Sequence, residues 1–185
     1  MLNFLRDNSR ILSKLLFYQF GAAFFSGMMI LAVPDNSTTL GLVIGIFCAF
    51  FLVFLNHVVL WEEGATCRLR ADAGRAAYNP LKGLYLMLVV NIPNYFLTVL
   101  YILGSKSGPF AWDSVILKIA TAIMMFWEAM YVRVVQAIGE NPFLWLLAPV
   151  PAILLGFISY WLGLANCRAA GVLSGPKVEK TKKRK

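Results

Sequence analysis

Two ionisable residues stand in a stretch of this chain that is otherwise almost wholly apolar. Lys118 and Glu128 are separated by nine residues, 119–127, of which Thr121 alone is polar. Arg133 and Gln136 follow. On a helix advancing 100° per residue, Lys118, Thr121, Glu128, Arg133 and Gln136 fall within a sector of about 140°. Ionisable side chains at membrane depth are candidates for ion paths and proton relays. Against that stands a plain alternative, in which both long side chains snorkel to the membrane surface.

A second polar cluster lies in the apolar run 83–103, whose middle reads Asn91-Ile92-Pro93-Asn94. Proline removes a backbone hydrogen bond and tends to kink a helix, and the freed carbonyls must find partners inside a bundle. Asparagine side chains facing lipid are costly, so both amides should face other helices. They either satisfy the kink and join neighbouring helices, or form a hinge or polar binding point. Asn91, Pro93, Asn94, Lys118 and Glu128 are therefore the candidate intramembrane polar site.

The remaining reactive side chains offer little. Glu62, Glu63 and Asp72 are the only clustered acids, and a solvated loop accounts for them. The single histidine, His57, reads as an interfacial or interhelical hydrogen-bonding group rather than a ligand. Cys48, Cys67 and Cys167 form no CxxC pair and have no histidine beside them, so no metal site is expected. Cys48 sits in an apolar run and reads as a small core residue. Cys67 and Cys167 are expected to be free thiols on the reducing side of a membrane. There is no HExxH, no glycine-rich phosphate loop and no nucleophile placed with a base. The expectation is a non-enzyme with no catalytic residue, no cofactor and no bound metal.

The elements that must position these residues are membrane helices. Of the 185 residues, 59% are hydrophobic and 14% charged, with a mean hydropathy of +0.70. Soluble domains run at about 45–50% apolar and about 25% charged. A helix crossing hydrocarbon needs about 20 apolar residues, and several such runs fit. The chain reads as one all-α, polytopic helical membrane domain over 1–165, followed by a basic cytoplasmic tail over 166–185. The net charge of +8 gathers in the N-terminal segment, a central loop and the tail, which suits an anionic membrane surface. No aromatic-basic module accompanies it, so no nucleic-acid partner is expected.

Residues 1–14 read as an amphipathic lead-in with Arg6, Arg10 and Lys14 at spacing four. A signal peptide is the alternative, but the run 15–33 is long for one and ends without a small-x-small site. It is taken as the first span. Pro34 to Ser37 forms a turn, and the second span covers roughly 40–60. Gly41, Gly45 and Ala49 repeat at spacing four there, a candidate helix-packing face for internal contacts or for a dimer seam. A charged loop, 61–82, carries Arg68, Arg70, Arg75 and Lys82. Asn79-Pro80 caps the third span, which starts near Leu81. Gly104 to Pro109 is a turn. Glu140-Asn141-Pro142 caps a last span, 143–164, with Pro149 and Pro151 in its first third and Tyr160 and Trp161 as interfacial aromatics.

Charge bias orients the helices. Lys and Arg number three before the first span, none in 34–39, four in 61–82, one in 104–114 and seven after residue 165. The positive-inside rule then puts both termini and the central loop in the cytoplasm of a multi-pass cell-membrane protein. Both ends on one side requires an even count: four spans, with 115–138 an interfacial or re-entrant amphipathic helix. Five spans are the alternative. The terminal Lys182-Lys183-Arg184-Lys185 would act as a dilysine retrieval signal only in a eukaryote.

The pattern Arg75, Tyr78-Asn79-Pro80-Leu81-Lys82-Gly83-Leu84, then Asn91-Ile92-Pro93, resembles small uncharacterised integral membrane proteins of Gram-positive bacteria. So does Pro149-Val150-Pro151 followed by Gly156, Tyr160 and Gly163. The likeness covers roughly 60–170 and departs in the more apolar segment 115–138. It implies architecture and a bacterial plasma-membrane location, with no activity attached. The functional expectation is a non-enzymatic structural or accessory subunit of a membrane complex. The alternative is a transporter or channel subunit lined by the polar residues of the third span and 115–138. Expected partners are the bilayer, anionic lipids through the basic tail, and further copies or a larger complex.

Overall fold

A computed structural model of the chain describes residues 2–33, 37–75, 77, 79–104, 114–139 and 141–165. Among these residues the structure is all-α. Helices α1 (Leu2–Asp7), α2 (Ser9–Leu31), α3 (Thr38–Asp72), α4 (Lys82–Val90) and α5 (Ile92–Gly104) are followed by α6 (Ser114–Trp127), α7 (Ala129–Ile138), α8 (Leu144–Leu147) and α9 (Val150–Leu164). Three stretches, Ser9–Leu31, Thr38–Asp72 and Leu144–Leu164, are long and apolar enough to cross a membrane, and the bent pairs α4–α5 and α6–α7 raise the number to as many as five. Large apolar side chains such as Phe17, Phe50, Phe96 and Leu147 lie exposed on the outside, where a lipid solvent would receive them. The polytopic membrane fold expected from composition is present. The tail 166–185, with Cys167, lies outside the described residues, as do Asp35, Lys106 and Glu140.

The second helix does not stop at Leu60. Residues 61–72 are rich in good helix formers and contain no proline, so α3 continues for three more turns. An Arg68–Asp72 pair, four residues apart, lies on its exposed side. The helix ends in a Schellman motif. Gly74 adopts φ 68°, its N–H bonds the Ala71 carbonyl, and the Arg75 N–H bonds the Arg70 carbonyl. The charged loop thus shrinks to 73–81, and Arg68 and Arg70 sit on a helix. The lead-in is also shorter than expected. It breaks at Asn8, whose side-chain amide donates to the Phe4 carbonyl, and residues 9–14 already belong to the first long helix.

Asn79 opens α4 by accepting the Leu81 N–H on its side-chain oxygen at 3.1 Å. The break expected at Pro93 falls two residues earlier. Proline cannot donate and its ring crowds the carbonyl four residues back, so Pro93 is tolerated only in the first turn of a new helix. The bend of 42° is centred on Asn91, and α5 starts at Ile92. In α9 the proline of the first turn is Pro151, and 144–164 still runs as one span.

Residues 115–138 do not form the straight helix on which one polar sector would persist. They bend by 105° at Glu128, so Lys118 and Glu128 do not share a face.

Packing pairs fix the helix directions. Lys14 meets Glu62 while Phe25 meets Phe51, so α2 and α3 are antiparallel. Phe4 meets Tyr85 and Gln19 meets Asn94, so α2 runs alongside α4–α5 in the same sense. His57 meets Ser159, and Ala49 shares a cleft with Pro151, so α3 and α9 are parallel. The start of α2, the ends of α3 and α9 and the start of α4 therefore lie together, at what is called here the basic end. It carries Arg6, Arg10, Lys14, Arg68, Arg70, Arg75 and Lys82. The opposite, or far, end holds the start of α3 and the end of α5. Because α5 ends and α8–α9 begins at the far end, the α6–α7 hairpin enters and leaves from that end.

Glycine brings the helices into contact near the basic end. A Cβ on Gly163 would collide with the Trp61 carbonyl oxygen, and one on Gly64 with the Tyr160 carbonyl oxygen. Gly83 makes room for the Tyr160 ring. Tyr160, expected in an interfacial belt, is instead fully buried and donates to the Asn79 carbonyl. Trp161 does face outward.

Candidate functional site

The two helix breaks, at Asn91 and Glu128, face one another in the bundle interior. Glu128 is fully buried. Thr98, two turns along α5 from the first break, donates from Oγ1 to Glu128 Oε1 at 2.7 Å. Glu128 Oε2 has no partner among the described residues. Glu128 is also the residue that opens α7, its carbonyl accepting the Tyr131 N–H at 2.8 Å. Its carboxyl makes no capping bond to α7 and turns to Thr98 instead.

A ladder of amides lies beside it. Asn91 Nδ2 donates to the Met87 carbonyl at 2.8 Å, binding the break to the helix before it. Asn94 Nδ2 donates to Asn91 Oδ1 at 2.9 Å. Asn94 Oδ1 accepts from Gln19 Nε2 of α2 at 3.1 Å and from the Trp127 indole N–H of α6. Three chain segments thus meet on one asparagine. Asn91, Asn94, Gln19 and Thr98 are all buried, and inside a membrane each amide must be satisfied within the protein.

The candidate residues from the sequence divide. Asn91, Asn94 and Glu128 come together, and Pro93 stands half-buried between the two asparagines on the chain. Lys118 does not join them: it is exposed on α6, ten residues before Glu128. The bend at Glu128 separates the two, so a lysine–glutamate pair lining one path is corrected to a site built on Glu128 alone. Gly41 and Gly45 are buried, and they pack inside the chain against Arg133 of α7. Ala49 lines an apolar cleft of about 430 Å³ between α3, α7 and α8–α9. This face is an intramolecular contact. Arg133 lies along it, with Nε buried and unpartnered among the described residues.

Gln19, Thr98, Trp127 and Tyr131 were not foreseen. Gln19 had a signal, since it is the only amide in the run 15–33. Thr98 had none, because threonine is common in membrane helices. Tyr131 is buried with its hydroxyl unpartnered among the described residues, three residues from Glu128.

At the basic end Glu63 is less solvated than a loop would leave it, while Glu62 and Asp72 stay exposed. Lys82 Nζ meets Glu63 Oε1 at 2.7 Å, with side-chain exposures of 16% and 11%. The Cys67 thiol donates to the same oxygen at 3.3 Å. His57 shares a 2.8 Å hydrogen bond with Ser159 of α9, joining two helices as expected. Cys48 is buried in the core and Cys67 is a free thiol. Among the described residues no three His, Cys, Asp or Glu side chains come together as a metal site would need.

Comparison with protein-family models, with curated proteins and with solved structures returns no match.

Proposed function

We propose that this chain is a membrane-embedded transport or channel subunit that loads a proton or small cation on Glu128. The observation that supports this is a carboxyl buried at the tip of a helical hairpin, held by Thr98 through one oxygen and without a described partner at the other. Ionisable groups at membrane depth are costly and mark ion paths. Discontinuous helices whose ends meet at mid-depth are the usual frame for such sites.

In this reading α2, α3, α4–α5 and α8–α9 make four crossings of the cell membrane, and α6–α7 is re-entrant from the outside. The basic end faces the cytoplasm, since it gathers seven of the 17 Lys and Arg and leads into a tail with seven more. The tail engages anionic lipid. Four spans leave one copy a thin pathway, so the working unit is an oligomer or part of a larger complex.

The test is flux into liposomes holding the purified chain, read with pH- and potential-sensitive dyes. Glu128→Gln should lower it at least about tenfold, and Lys118→Gln should leave it unchanged. Flux indifferent to Glu128→Gln would remove the proposal.

The second reading is a non-enzymatic accessory subunit. The last turn of α3 favours it, because Arg68, Leu69, Arg70 and Asp72 are exposed just beyond the contact with α9 and offer a charged handle for another protein. Co-purification of a partner that is lost when Arg68 and Arg70 become alanine would support it.

A further inference from the structure

The oxygen atoms around Glu128 are not equally free, and their occupancy bears on what the site can hold. Asn94 Oδ1 already accepts two donors, from Gln19 and Trp127. Asn91 Oδ1 accepts one from Asn94, and Thr98 commits its hydroxyl to Glu128 Oε1. Glu128 Oε2 and the Tyr131 hydroxyl remain. Hard metal ions take six or more oxygen ligands, water included, and Glu128 Oε2, the Tyr131 hydroxyl and the second lone pair of Asn91 Oδ1 supply three at most. A proton needs one.

The spare atoms also have a direction. Tyr131 stands three residues beyond Glu128 on α7, within its electrostatic reach. Arg133 follows, lying against Gly41 near the start of α3. Ser26 Oγ, likewise buried and unpartnered among the described residues, belongs to the far half of α2, which packs on α7. Toward the basic end the amides close on one another. Beyond them Leu15, Leu60, Leu86 and Met87 form a fully buried apolar plug. Asn56 Oδ1 is the remaining unpartnered atom on α3, and Val59 and Leu60 bar its way one turn later.

We infer that the ligand of Glu128 is a proton, and that it is exchanged with the far end of the bundle through Tyr131 and Ser26. This rests on the reading of Glu128 given above and narrows it. The step balances as a relay. Glu128 Oε2 and the Tyr131 hydroxyl do not hydrogen-bond each other at rest, so a side-chain rotation or one bridging water brings them together; the carboxyl then passes its proton to the Tyr131 oxygen while that hydroxyl releases its own toward the far end, leaving a carboxylate and a neutral tyrosine. The titratable groups facing Glu128 are Tyr95 of α5 and Tyr131 of α7.

Two measurements on the full chain test it. The first is thermal unfolding of the reconstituted protein in sodium, potassium or choline chloride at equal ionic strength. The midpoint should be the same in all three, yet move with pH in the native chain and stay flat in Glu128→Gln. A sodium- or potassium-dependent rise that Glu128→Gln abolishes would overturn the proton assignment. The second places Ser26→Cys, Tyr131→Cys and Leu86→Cys in a chain with Cys48, Cys67 and Cys167 replaced by alanine. A membrane-impermeant thiosulfonate is added to one face of sealed vesicles at a time. Ser26→Cys and Tyr131→Cys should react about tenfold faster from the face opposite the tail, and Leu86→Cys from neither. Faster reaction from the tail face would overturn the route. Should Tyr131→Cys fail to assemble, Ser26→Cys carries the same test. Flux lost in Glu128→Gln with either overturning result leaves the transport reading standing and removes only this one.

Discussion

The two halves of the bundle are built on opposite terms. Near the basic end, α3 and α9 meet backbone to backbone at Gly64 and Gly163, and Tyr160 fills the space that Gly83 leaves. The core there is Leu12, Leu15, Val59, Leu60, Leu86 and Met87. In the far half, α6–α7 bends by 105°, and Ser26, Glu128, Tyr131 and Arg133 each keep a buried polar atom without a described partner. Lipid gives helices no hydrophobic reason to associate, so close backbone contact has to hold them. One half supplies that contact. The other can then tolerate a broken helix and a buried acid.

The sharpest way to break the comparison is to attack the glycine contact. Gly163→Val should destabilise the protein by about 3 kcal/mol or more, since the new side chain meets the Trp61 backbone, which cannot give way. Unfolding in mixed micelles would read it. A loss as small as that of Gly41→Ala, whose Cβ finds ordinary 3.5 Å contact with Arg133, would mean that the two halves are equally loose.

Gln19→Leu comes next. It removes one of the two donors to Asn94 Oδ1, and the cost should be about 1 kcal/mol by the same unfolding assay. Tyr131→Phe should go the other way. Deleting a buried hydroxyl without a partner relieves its desolvation, so a gain of up to about 1 kcal/mol is expected together with slower proton exchange. A loss of stability would show that the hydroxyl is satisfied and that the far half is not frustrated. The smallest effect belongs to Lys14→Ala. Its 3.7 Å pair with Glu62 is exposed on both sides, so the change should stay within about 0.5 kcal/mol.

Much of the fold was legible in the residues themselves. Apolar runs announced the long helices, because hydrocarbon admits only backbone that satisfies itself. Asn79-Pro80 marked the start of α4 to within two residues. Pro93 marked a break to within two residues, because proline lacks the N–H that a helix interior requires. The boundary expected at Leu60 lies at Asp72 instead, although the residues between are charged. Charge says only that a segment meets water, and Glu, Arg and Ala carry a helix into water readily.

The site was half legible. A polar side chain in an apolar run must find a partner, and this identified Asn91, Asn94 and Glu128. It could not identify the partners. Gln19 and Asn94 are 75 residues apart, and Thr98 and Glu128 are 30 apart. No periodicity encodes such meetings. The bend at Glu128 is the clearest case. The residues around it include no proline and no glycine, and nothing local stops the helix. What ends α6 there is tertiary: Thr98 holds the carboxyl, Asn94 holds the Trp127 indole, and Gly41 and Gly45 make a berth for Arg133. The sequence by itself determined that this protein is a set of apolar helices with a few polar groups that need partners. Only the tertiary structure decided which groups meet, because that depends on how far each helix has run before it crosses the next.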